Sequence, residues 1–294
     1  MQTLEGKTAF ITGAASGIGL ALAEHAASER MNVVLADIEE DALAQAVRRL
    51  EERQVRAIGV PVNTMLESSV RSAAERAIDE FGKVHLVFNN AGVASTKSAG
   101  RAVWEVADTD WDWVMGVNFY GVLYGIRAFV PHMLEHGEAS HIVNTASLAA
   151  VMPGGGTYGV SKHAVLALTE GLQRDLADRG ANIQASVLCP GFVNTSIHRA
   201  ERNRPAEVAI EAANPELAET GTALMQDMLS RGKAPAEIAR IVFESVRENR
   251  FYILPHPAWD EFVLSRVEQI LARGPVASMD MMEMQRRREA GDVF

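Results

Sequence analysis

The feature that most constrains this chain is a repeated alternation. A short β-branched or aliphatic run is followed by an Ala/Leu/Glu/Arg-rich stretch whose apolar residues fall at helical spacing, and the pattern then starts again. Parallel strands cannot be joined by tight turns and need a long crossover, usually a helix, so the alternation points to βαβ units and a mainly parallel sheet covered on both faces. Strands are predicted over residues 7–12, 32–37, 55–62, 84–89, 140–146, 183–189 and 251–254. Helices are predicted over 17–30, 39–53, 66–82, 103–136 with a break near Asn118, 157–179 and 235–249. The fold class is therefore α/β, a doubly wound parallel sheet of seven strands. No repeat and no Pro/Gly/Ser-rich linker divides the chain, so residues 1–294 read as one domain. Two regions exceed the minimal pattern: residues 196–232, a candidate helical lid, and a C-terminal extension over 257–294. In the extension Met279, Met281, Met282 and Met284 precede Arg286, Arg287 and Arg288. It reads either as a cover for a pocket or subunit contact, or as a surface helix with an apolar stripe and a solvated basic turn.

Charge narrows the partners. Lys and Arg number 28 against 38 Asp and Glu, a formal net charge of -10, which repels phosphate backbones and anionic lipid headgroups. Neither nucleic acid nor membrane is an expected partner. Cys189 is the single cysteine, so no internal disulfide and no thiol metal pattern can form. The segment Met1–Lys7 lacks the basic-then-apolar design of a signal peptide, and the uncharged stretches 139–161 and 181–198 contain Asn, Ser, Pro and Gly, as buried strands running into loops do. A cytoplasmic location is expected.

Doubly wound sheets bind ligands beyond the carboxyl ends of their strands, so the residues just after each strand are the ones to weigh. After the first strand comes Thr12-Gly13-Ala14-Ala15-Ser16-Gly17-Ile18-Gly19, opening a helix. Such a turn lets backbone N–H groups and the positive helix end approach a pyrophosphate, though a tight turn with no ligand has the same look. The second strand ends at Asp37, which can accept from both adenosine ribose hydroxyls and would repel a 2′-phosphate, favouring NAD over NADP. Asp37-Ile38-Glu39-Glu40 also reads as a helix N-cap, and the two roles are compatible. Further along lie Asn89-Asn90-Ala91-Gly92, Asn118, Ser147 and Tyr158-Gly159-Val160-Ser161-Lys162. Four Tyr and five Lys in 294 residues put the chance expectation of a Tyr-x3-Lys pair at about 4 × 5/294, or 0.07. On a helix that offset places both side chains on one face, where the ammonium is expected to lower the phenol pKa and make Tyr158 a general acid or base. Tyr158 alone could instead be a core aromatic.

Together these motifs, with Pro190-Gly191-x3-Thr195, resemble the short-chain dehydrogenases/reductases, in order and over residues 5 to about 255. The resemblance implies a Rossmann-like sheet and an NAD(P)-dependent alcohol dehydrogenase or ketoreductase transferring hydride between a secondary alcohol or ketone and nicotinamide. It implies Tyr158 as the acid/base, Ser147 holding the substrate oxygen, Lys162 on the nicotinamide ribose and Asn118 holding a relay water. Cofactor contacts are implied for Gly13, Ser16, Gly17, Ile18, Gly19, Asp37, Ile38, Asn63, Asn90, Ala91, Gly92, Tyr158, Lys162, Pro190, Gly191, Val193 and Thr195. Asn63 stands where the family usually has an Asp against adenine. Ser147 lies eleven residues before Tyr158, about two fewer than usual, with Gly154-Gly155-Gly156 between. Arg202-Asn203-Arg204-Pro205-Ala206 and Tyr252-Ile253-Leu254-Pro255-His256-Pro257 are similar to the branch containing bacterial lignin Cα-dehydrogenases, which act on benzylic alcohols. A homo-tetramer or homo-dimer is also implied.

Three other readings compete. One is a non-catalytic NAD(P)-binding regulator, and another an NADPH-dependent carbonyl reductase. The third is a zinc hydrolase built on His132-Met133-Leu134-Glu135-His136; surface histidines without a third ligand are the expected explanation, so no metal is assigned. Cys189, ending an apolar strand, is expected to be an inert buried thiol.

Overall fold

The computed structural model describes residues 1, 3–212 and 214–276. Seven strands form one parallel sheet: β1 (Thr8–Thr12), β2 (Asn32–Asp37), β3 (Ala57–Pro61), β4 (Leu86–Asn89), β5 (Ser140–Thr145), β6 (Ile183–Leu188) and β7 (Tyr252–Ile253). Their spatial order is β3-β2-β1-β4-β5-β6-β7. The helices are α1 (Gly17–Ser28), α2 (Glu40–Glu51), α3 (Glu67–Phe81), α4 (Asp108–Met115), α5 (Gly121–His136), α6 (Gly156–Asp178), α7 (Pro215–Ser230), α8 (Pro235–Arg247) and α9 (Asp260–Ala272). Each predicted strand is present. Neighbouring strand residues point to opposite faces, so Ile11, Leu35 and Phe88 pack with Leu22 of α1 and Phe243 of α8, while Phe10, Val34 and Val87 pack with Phe129 and Met133 of α5.

The break expected near Asn118 is a π-helical turn, Gly116–Tyr120, between α4 and α5. Such a turn interrupts the regular helix ladder and is common at functional sites. The region 196–232 contains two short 3-10 turns, Ile197–Asn203 and Ala206–Val208, followed by α7. The extension supplies a turn at Pro257–Trp259 and then α9; its Met279–Arg288 portion lies outside the described residues. Among the described residues one helical run, Asp108–His136, is long and apolar enough by length and composition to cross a membrane, and 44% of its apolar window is buried inside the protein.

The histidines of the His132–His136 pattern do not sit idle on the surface. Val84 precedes β4, and its N–H donates to His132 Nε2 at 3.2 Å while its carbonyl accepts from His136 Nε2 at 3.1 Å. His136 Nδ1 in turn accepts the Glu138 N–H. His85 accepts the Thr8 N–H at Nδ1 and bonds Glu138 Oε2 at 3.0 Å. These imidazoles satisfy backbone groups at the amino end of the sheet, where the ladder supplies no partner.

Burial pushes the pKa of His85 and His132 down, and takes the fully buried His141 down to about 3. Folded, these rings bind protons less readily than in the unfolded chain, whose imidazoles titrate near about 6.5. Stability is therefore complete above that value and falls as pH drops through it, with the His141 contribution declining until about 3. Urea unfolding should show a midpoint falling between about pH 7 and pH 4. His141→Gln, which retains a partner for Ser186 Oγ but cannot titrate, should flatten that fall; an unchanged slope would remove His141 as its source.

Candidate active site

The sheet order reverses between β1 and β4, and the crevice this leaves beyond their carboxyl ends is a cavity of about 610 Å³. Its first wall is the turn between β1 and α1. Gly13 and Gly17 have φ of +67° and +56°, and a Cβ on Gly19 would lie 2.0 Å from the Gly13 carbonyl oxygen. Only glycine closes this turn. No side chain caps α1 and no carboxylate sits in its first turn, so its N–H groups and positive end remain available to an anion beside Ser16, Gly17 and Ile18.

Thr12 ties this turn to the next strand. Its Oγ1 accepts from Asn90 N at 2.9 Å and Ala91 N at 3.0 Å, and Asn90 Nδ2 donates to the Thr12 carbonyl at 3.1 Å. Asp37 does not cap α2, as its sequence context suggests; the N-cap is Glu39. The Asp37 carboxylate instead accepts from Ala15 N at 2.8 Å and Glu39 N at 3.0 Å, bracing the glycine turn. The reason is distance along the chain: α2 begins three residues later, at Glu40. Burial raises the Asp37 pKa, and those backbone N–H groups oppose the rise. Asn63 lines the cavity, but its Oδ1 accepts from Met65 N, leaving its NH2 as the group an adenine edge could use.

At the other end of the cavity stand Ser147, Tyr158 and Lys162. Ser147 follows β5 and lines the cavity with Tyr158; its Oγ donates to the Pro190 carbonyl at 3.4 Å and accepts from Ala149 N at 3.1 Å. Lys162 lies one helical turn after Tyr158 on α6, its Nζ 5.6 Å from the Tyr158 ring centre and donating to the Thr145 carbonyl at 3.0 Å. Asn118, in the π turn, accepts from Val93 N at 2.8 Å and donates to Val93 O and Ser161 Oγ, both at 3.0 Å. The expected lowering of the phenol pKa is corrected here. Burial raises the Tyr158 pKa, the neighbouring Ser147 hydroxyl opposing the rise, and burial also lowers Lys162 to about 8. Removal from water is the largest influence on both groups. Cys189 is buried and pushed up to about 12, an inert thiol.

Pro190, Gly191, Val193 and Thr195 complete the floor. A Cβ on Gly17 would meet Thr195 Cγ2 at 3.1 Å, so the two cofactor-side loops touch. All the candidate residues therefore gather in one crevice; of them Gly19 and Asn118 shape it from behind the cavity wall.

A family model described as short chain dehydrogenase matches residues 7–206. The chain belongs to the short-chain dehydrogenase/reductase family. A short-chain dehydrogenase/reductase from Burkholderia phymatum, solved in complex with NAD, superposes with a TM-score of 0.90 at 44% identity, covering 95% of this chain and 99% of that one. A CLA biosynthesis dehydrogenase/reductase of Lactiplantibacillus plantarum is 34% identical over 93% of this chain and 96% of its own length. The C alpha-dehydrogenase of a Sphingobium strain is 31% identical over 87% of this chain and 83% of its own length. This dehydrogenase/reductase is thus an oxidoreductase related to the lignin Cα-dehydrogenases, and solved members of its family include one in complex with NAD and one in complex with NADP.

Several groups that shape the enzyme's site went unassigned in the sequence. Arg204 is buried; it donates to Asp110 Oδ1 at 2.6 Å, to both Glu201 oxygens and to Ser95 Oγ, with its guanidinium 3.9 Å from the Trp113 ring centre. It fastens the first part of the 196–232 region to α4. Arg202 and Asn203 both donate to Glu39, at 2.5 and 2.9 Å, so the same segment also reaches the loop after β2. Phe192, Met225 and Trp259 also line the cavity, and Phe192 and Trp259 pack with Leu148 and Met152 beside Ser147. The run Arg202–Ala206 carried a sequence signal, but nothing in it pairs Arg204 with an Asp 94 residues away.

Asp110 is fully buried, so removing its guanidinium partner strands a charge in the interior. Arg204→Met should cost about 3–5 kcal/mol in urea unfolding. Adding Asp110→Asn should recover part of that loss; two independent, additive losses would contradict the pairing.

Proposed function

We propose that the enzyme is an NAD-dependent dehydrogenase of neutral, apolar secondary alcohols, acting in reverse as a ketoreductase, with Tyr158 as acid/base. The observation that carries this is the grouping of Ser147, Tyr158 and Lys162 in one glycine-walled crevice, with Lys162 Nζ 5.6 Å from the Tyr158 ring centre. The residues fit a nicotinamide dinucleotide: the uncapped α1 terminus and the Gly13–Gly19 approach suit its pyrophosphate, and Asp37, Ile38 and Asn63 its adenosine. Thr195, Val193 and the Pro190-Gly191 turn suit the nicotinamide. When bound, the cofactor takes up hydride in oxidation and gives it in reduction.

The chain's own groups handle the proton and the geometry. Ser147 Oγ holds the substrate oxygen beside the Tyr158 hydroxyl; in oxidation the phenolate takes the carbinol proton, and in reduction the phenol returns it to the alkoxide. Lys162 holds charge behind the ring and presents the ammonium to a ribose. The Asn118 side chain is engaged by Val93 and Ser161, so any relay water it holds meets its main-chain carbonyl in the π turn. NAD preference rests on Asp37 and on Glu39, which occupies Arg202, the guanidinium lining the cavity at that end. Among the described residues the charged groups of the lining are Asp37, Glu39, Lys162 and Arg202; the Met152, Phe192, Met225, Leu229 and Trp259 end carries none, which favours an uncharged aryl or alicyclic substrate. Within 196–232 the lid proper is α7, because the segment before it is fastened by Arg204 and Arg202. The unpaired buried Cys189 suits a reducing cytoplasm.

Reduced-nicotinamide absorbance, followed with NAD and NADP over aliphatic, steroidal and benzylic secondary alcohols, tests this reading. Tyr158→Phe should lower kcat by at least about 10²–10⁴-fold while NAD binding is retained. Asp37→Ser should raise the NAD KM and narrow the gap to NADP. Full turnover in Tyr158→Phe would sink the assignment, preference for NADP would make it an NADPH-dependent carbonyl reductase, and NAD binding without turnover would make it a regulator. Exposed Tyr120 and Val160, on the face where the π turn and α6 meet solvent, support a homo-oligomer. Sedimentation should show dimer or tetramer; monomer at all concentrations would overturn it.

A further inference from the structure

We propose that His256 is a positioning residue that holds the Pro190-Gly191-Phe192 turn in the shape the nicotinamide end of the cofactor needs. The inference rests on the dinucleotide reading above. After β6 the chain leaves the sheet at Cys189 and crosses the floor of the crevice as Pro190, Gly191 and Phe192. Backbone groups in such a turn lie outside the main sheet ladder and must be satisfied by something else. The Pro190 carbonyl accepts from Leu148 N at 2.9 Å and the Phe192 carbonyl from Lys233 N at 3.1 Å, which leaves the Gly191 N–H between them to be met by a side chain.

His256 meets that N–H and adds a second bond to the Phe192 carbonyl. Its Nδ1 accepts from Gly191 N at 3.0 Å, and its Nε2 donates to the Phe192 carbonyl at 3.1 Å. One neutral ring, protonated at Nε2, therefore bridges the N–H and C=O of consecutive residues. The ring is fully buried, and a Cβ on Gly191 would fall 3.2 Å from His256 Cγ, so imidazole and backbone lie in direct contact. His256 reaches this place because the chain before it is registered against β6: Leu188 pairs with Ile253, and Cys189 N donates to Ile253 O at 2.9 Å. The residue also organises the neighbouring wall. Its carbonyl accepts from Trp259 N at 3.1 Å, and the Trp259 ring packs edge-on against Phe192 at 5.9 Å. A single side chain thus joins the segment after β7 to the floor of the crevice.

No catalytic role follows, because Tyr158, Ser147 and Lys162 make no hydrogen bond to His256 and it is absent from the cavity lining. Its influence should be confined to the nicotinamide half of the ligand. Two probes separate the halves: NADH, and ADP-ribose, which has the adenosine and pyrophosphate but no nicotinamide. In calorimetric titrations His256→Phe, which keeps a ring but offers neither acceptor nor donor, should weaken NADH binding about tenfold, as loss of a modest hydrogen-bonded contact does. ADP-ribose affinity should stay within about twofold of the unmutated protein, the scatter expected of a change that does not touch its contacts. His256→Asn, which can still accept from Gly191 N–H, should recover part of the NADH loss. If His256→Phe does not fold, His256→Leu, which likewise offers neither acceptor nor donor, serves in its place, with the same selective loss expected. Equal weakening of both ligands, or of neither, would overturn the proposal. Unmutated protein that binds neither ligand would overturn the dinucleotide reading and this inference with it; binding of both, with no selective loss, would overturn this inference alone.

Discussion

The close approach of two backbone segments governs much of this molecule. Where β1 turns into α1, Gly19 packs against the Gly13 carbonyl with no room for a Cβ, and Gly13 packs against Ala91 at the end of β4. Thr12 then joins the two strand ends through Asn90 and Ala91. Because the sheet reverses its order at this junction, the same contacts that close the core also open the crevice. A side chain at Gly19 would strike the Gly13 carbonyl and Asn90 Nδ2, pushing α1 off the sheet and distorting the turn that walls the phosphate end. Packing and binding are here one constraint.

A second theme is the cost of removing charge from water. Tyr158 and Lys162 stand close together, yet burial moves each toward its neutral form. A buried ion pair survives only with its full complement of partners, and Arg204 shows such a complement: two carboxylates, a serine hydroxyl and an indole face. That cluster fixes the segment before α7 firmly enough for it to act as a frame. His256 fixes the opposite side of the crevice without a charge.

The strands, the helix order and the residues that gather in the crevice were legible because each depends on short-range signals: periodicity, glycine spacing and a four-residue offset on one helix. The break at Asn118 was legible too, though its π form was not. What sequence alone did not show depends on distant pairs. Asp37 braces Ala15 instead of capping α2, since its partner becomes adjacent only in the folded sheet. The pair of Arg204 with Asp110 and that of His256 with Gly191 span 94 and 65 residues, and no local pattern links them. The pKa of Tyr158 depended on burial, which spacing does not report.

In the proposed reaction hydride leaves a secondary carbinol carbon in this crevice while Tyr158 takes the proton. The most direct measurement uses a secondary alcohol labelled with deuterium at that carbon, incubated with the enzyme and NAD. Mass spectrometry of the reduced cofactor should find the deuterium on its nicotinamide ring, formed quickly by the unmutated enzyme and at a small fraction of that rate by Tyr158→Phe. Reduced cofactor that lacks the label, or labelled cofactor formed equally fast by both proteins, would contradict it.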